Sequence, residues 1–110
     1  MKLFPSLFGV RPASYRVRVR FGEGVYLEPL RVEGDESRPA RFSTRGSAHR
    51  AADAVGQLLI GLRAGTPPED RTDVGSLEVE VDRVHEPPNL YERKFDIQVA
   101  RLRALVSRGG

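Results

Sequence analysis

The chain has 110 residues, of which 39% are hydrophobic, 30% charged and 7% aromatic, with a net charge of +3 and neither Cys nor Trp. One domain of this length can bury a core, and the apolar fraction argues against wholesale disorder. Without Cys there are no disulfides, thiolate metal sites or Cys nucleophiles, and no apolar run approaches the roughly 20 residues of a membrane-spanning helix.

Residues 1–14 read as an arm punctuated by Pro5 and Pro12, with Leu3, Phe4, Leu7 and Phe8 as its apolar part. Pro5 breaks the apolar run and Arg11 ends it, so no secretory signal is expected and a cytoplasmic setting is. Exposed Phe pairs are costly on a soluble monomer, so the arm is expected to cover the domain's own core edge or to dock on another subunit. Residues 15–110 then form a single domain.

Tyr15 to Phe21 alternates strictly, with Tyr15, Val17, Val19 and Phe21 on one face and Arg16, Arg18 and Arg20 on the other. That period of two predicts a half-buried strand. Gly22-Glu23-Gly24 is a turn joining antiparallel strands. Val25 to Glu33 reads as the second strand, with Pro29 marking a sheet edge or a bulge. Residues 34–39 read as a polar turn, and Ala40-Arg41-Phe42 as a short third strand. Ser43 and Thr44 suit a helix N-cap. Ala48, Ala51, Ala52, Val55, Leu58, Leu59 and Leu62 then recur at three- and four-residue steps, predicting a helix over about 45–63 that stops at Gly65.

Residues 64–75 read as a loop. Leu77, Val79 and Val81 alternate with Glu78, Glu80 and Asp82, predicting a strand over 76–84. Pro87 and Pro88 break it. Asn89 with Glu92 resembles a capping box, and Tyr91, Phe95, Val99, Leu102, Leu105 and Val106 form a helical stripe, so the final segment is expected to be helical. Phe95, Ile97 and Val99 also alternate, which leaves a strand at 93–99, hairpinned to 76–84, as the alternative. The expected fold is α+β: a small antiparallel or mixed sheet, in the order β-β-(β)-α-β-α, packed on one face by two helices.

Only Lys2 and Lys94 are lysines; every other basic residue is Arg. Residues 1–63 hold 11 basic and 6 acidic groups, 64–92 hold 2 and 8, and 93–110 hold 5 and 1. A chain divided in this way can neutralise itself on folding. The Arg row of the first strand and the carboxylate row of the later one are expected to lie on adjacent strands, as a solvated ionic ladder. If the rows lay apart, the arginines would be free to contact phosphates.

The two-to-three-strand meander, followed by a helix opening Phe42-Ser43-Thr44 with alanines downstream, resembles the sheet-reading DNA-binding domains of the phage-integrase-arm and AP2 types over residues 15–63. The acidic strand and the final helical stripe depart from that pattern, and no family is assigned.

No catalytic group emerges. Ser47, His49 and Asp53 do not converge on one helix face, and Asp82, His85 and Glu86 meet no metal-ligand spacing. No enzyme, cofactor, metal or small-molecule substrate is expected. The leading expectation is a non-enzymatic interaction or assembly protein that binds itself or another protein. It would use Leu3, Phe4, Leu7 and Phe8 of the arm with Leu90 and Ile97, which lie off the packed stripe of the last helix. The alternative is a nucleic-acid-binding accessory protein using Arg16, Arg18, Arg20, Arg41, Arg45 and Arg50, the last two placed at a helix N-terminus that attracts anions.

Overall fold

The computed structural model describes residues 12–72, 77–90 and 94–107. Leu3, Phe4, Leu7 and Phe8 of the arm lie outside the described residues. The fold is α+β, with two three-stranded antiparallel sheets and two helices.

The first sheet has the order β2-β1-β5, where β1 is Ser14–Gly22, β2 Val25–Leu27 and β5 Glu78–Val84. The second has the order β4-β3-β6, with β3 Leu30–Val32, β4 Asp35–Pro39 and β6 Phe95–Ile97. Both hairpins turn through a Glu-Gly pair, Glu23-Gly24 and Glu33-Gly34, and each glycine takes a left-handed φ, 70° and 80°. Glycine carries no Cβ to clash there.

The expected second strand is two strands. Pro29 has no N–H to continue a ladder, so the chain leaves the first sheet after Leu27 and joins the second at Leu30. Pro29 is fully buried at this crossing, and its carbonyl accepts the Gln98 N–H at 2.8 Å. The expected third strand is also displaced. The ladder runs over β4, because the turn is complete at Gly34, and residues 40–42 follow it. Phe42 instead bridges the layers, pairing with Tyr15 on one side and Leu90 on the other.

Helix α1 (Arg45–Ala64) begins as the sequence predicts. The Thr44 hydroxyl accepts the Ser47 N–H at 3.1 Å. Ala48, Ala51, Ala52, Val55 and Leu59 are buried against β1 and β5, and the small side chains let the helix lie close to the sheet. Helix α2 (Val99–Val106) packs on α1 through Leu102 and Val106, both fully buried.

The final segment corrects the expectation of a helix from residue 89. Asn89 does not cap one. Its side-chain oxygen accepts the Arg41 N–H at 2.8 Å, and its amide donates to the Pro39 carbonyl at 3.0 Å. The alternative strand is present as β6, but it pairs with β3 rather than β5. Phe95 packs edge-on to Phe42 at 5.6 Å, so core packing fixes the extended form. Leu90 is 5% exposed, and Ile97 is half-buried opposite Leu30. Both therefore belong to the core and its margin, not to an exposed helical face.

Candidate interaction surface

The Arg row and the carboxylate row are direct neighbours. Antiparallel pairing sets Arg16 opposite Asp82, Arg18 opposite Glu80 and Arg20 opposite Glu78. Arg16 meets Asp82 at 2.8 Å and Arg18 meets Glu80 at 3.3 Å; Arg20 binds Glu78 and reaches Glu80 at 3.2 Å. Arg18 also approaches Asp82 at 3.7 Å and stacks over the Tyr26 ring at 3.8 Å. The hydrogen bond and charge of Glu78 raise the already high pKa of Arg20. The Arg16–Asp82 and Arg18–Glu80 pairs are partly solvated, so each contributes about 0.2–1 kcal/mol. The larger effect of the ladder is to cancel the cationic row locally.

Arg41, expected at a nucleic-acid face, is buried instead. Its guanidinium lies 2.6 Å from Glu28 and 2.8 Å from Glu86. Burial pulls its pKa down, but the hydrogen bonds and charges of Glu28 and Glu86 outweigh that, and the net direction is up. A buried charge must be paired, and residues 13 and 45 positions away in sequence do the pairing. No sequence spacing revealed either partner. Of the six expected phosphate contacts, Arg45 and Arg50 remain exposed without a carboxylate partner among the described residues. Arg45 lies over the Tyr15 ring at 5.1 Å, and Arg50 donates to the Ser47 hydroxyl at 3.2 Å.

On its other side β5 has no strand neighbour among the described residues. Between this edge and α1 runs a groove with two adjoining cavities of about 440 and 320 Å³. Val79, Gly56 and Ile60 line both. Ile60 is 64% exposed. A Cβ on Gly56 would meet nothing within 4 Å, so the helix surface is open there. Ile60 falls off the apolar stripe of α1; an aliphatic residue on the polar side was the one sequence signal of this groove.

Among the described residues no group of three or more His, Cys, Asp or Glu side chains is placed to hold a metal ion. No described helix is long and apolar enough to cross a membrane. The chain matches no protein-family model, no curated protein and no solved structure.

Proposed function

We propose that the chain is a non-enzymatic interaction or assembly protein, which takes an extended protein segment onto the open edge of β5. Backbone groups of such a segment extend the ladder, and its inward side chains enter the groove beside α1. The observation that carries this reading is the contrast between the two sides of β5. Its β1 side is closed by a neutralising ladder, while its far side has no strand neighbour among the described residues and borders a groove that Ile60, Leu77 and Val79 line beside polar His49, Asp53 and Gln57. The arm, with Leu3, Phe4, Leu7 and Phe8, is the surface that the chain contributes to its own assembly.

The test is a selection of displayed peptides on the full chain, repeated on Gly56→Leu. That substitution fills the groove, and helix propensity favours leucine over glycine by about 0.8 kcal/mol. The fold is therefore expected to survive. Peptides that lose binding to Gly56→Leu and protect β5 amides from exchange support the reading. Absence of enrichment, or enrichment indifferent to Gly56→Leu, refutes it. Deleting residues 1–10 is expected to lower the mass in solution; an unchanged monomer removes the arm from the reading.

Nucleic-acid binding is the second reading, favoured by Arg45 and Arg50 at the start of α1. Binding of duplex or single strands with a steep salt slope would promote it.

A further inference from the structure

We infer that the segment accepted at β5 is a strand in which basic residues alternate with aliphatic ones. This rests on the strand-acceptor reading above and adds the chemistry of the partner. Glu78, Glu80 and Asp82 stand on the outer face of β5, and Val79 and Val81 line the groove on the other. A strand added at the free edge must follow the same pleat. Its outward residues then lie directly across from carboxylates, and its inward residues lie across from valines. Cations fit the first positions and aliphatic side chains the second.

Arginines of β1 contact these carboxylates from one side only, and Glu78 keeps 56% of its side chain exposed. A second basic row would flank the carboxylates from the other side. The same geometry disfavours a second copy of this edge. Antiparallel pairing of β5 with itself about Glu80 sets Glu80 against Glu80 and Glu78 against Asp82, and like charges directly opposite repel. The arm is also a poor match. Its only cations among residues 1–11 are Lys2 and Arg11, and Pro5 cannot donate to a ladder.

Three labelled heptapeptides alternating Val with Arg, Gln or Glu, and a fourth with the Arg and Val residues in separate blocks, distinguish the outcomes. They are titrated against the full chain at low salt and again at about 0.5 M salt, where exposed charges are screened. The Arg–Val peptide is expected to bind about tenfold more tightly than the Gln–Val peptide at low salt, with the advantage shrinking at high salt. Gly56→Leu is expected to abolish its binding, and Glu78→Gln to reduce the preference about two- to threefold.

Equal binding of the Arg–Val and Gln–Val peptides overturns the basic pattern but leaves the strand-acceptor reading. Failure of all four overturns both. Binding of the blocked peptide as tightly as the alternating one means adhesion by charge alone and overturns the inference. An affinity that rises tenfold or more when residues 1–11 are deleted assigns the groove to the chain's own arm, with the same consequence.

Discussion

The guanidinium of Arg41 is held from three directions, by Glu28, by Glu86 and by the Ala40 carbonyl at 3.1 Å. These contacts tie the link between β2 and β3 to the segment before α1 and to the loop after β5. Its backbone is used as fully, since the Arg41 carbonyl accepts both the Asn89 and the Leu90 N–H. Replacing Arg41 by Ala removes the buried stem and takes a cation from two carboxylates: Glu28 keeps Arg16 at 3.5 Å, and Glu86, half exposed, can turn towards water. The expected cost is therefore about 2 kcal/mol, read as a lowered urea midpoint. Asp35 gives a pH-dependent counterpart. The Ser37 hydroxyl and then the Ser37 N–H donate to its carboxylate, at 2.6 and 3.0 Å, and hold its pKa below the ordinary carboxylate value. A depressed carboxylate pKa stabilises the fold above the unfolded-state value, and the contribution fades as pH falls through the folded-state value. The difference in urea midpoint between the native chain and Asp35→Asn is accordingly expected to narrow as pH falls through and below the ordinary carboxylate range.

Elements were legible where one periodicity stood alone. β1, α1 and β5 each show a single repeat over many residues, and each lies within two residues of its expected bounds. The segment after Pro88 was harder because Phe95 satisfies two repeats. It belongs both to the stripe of Leu102 and Val106 and to the alternation of Ile97 and Val99. Local preference could not choose between them. The choice was made by β3, whose second edge needs a partner, and by Phe42, which offers a ring to Phe95. Pro29 marks an interruption in the sequence, but its consequence, a change of sheet, depends on contacts far away in the chain. Helix α2 has only eight residues, too few to be stable alone, so packing must hold it. Leu102→Ala is expected to cost about 3 kcal/mol and to release α2 first, seen as faster amide exchange over residues 99–106 than elsewhere.

For the molecule as a whole, the segregation of charge along the chain foretold the pairing of its strands. The adjacency could be read because the Arg and carboxylate rows repeat in step, three against three; the antiparallel register comes from the fold. The groove could not, because open space beside an edge is a property of the assembled layers and not of any segment. Its residues, Ile60 excepted, look like ordinary members of a helix and a strand. The ladder also alters what a single substitution does. Arg18→Glu sets a carboxylate against Glu80 and Asp82 at once, and is expected to cost about 1–2 kcal/mol. Exchanging the pair, Arg18→Glu with Glu80→Arg, should return about half of that, because the diagonal neighbours Arg20 and Asp82 keep their original signs. Denaturation of the two single variants and the double variant gives the coupling; strict additivity would mean that the two positions are independent. Positions 18 and 80 therefore share one mutational fate: a reversal at either site is a burden that reversal of the other lightens, and descendants of this gene should carry the two changes together.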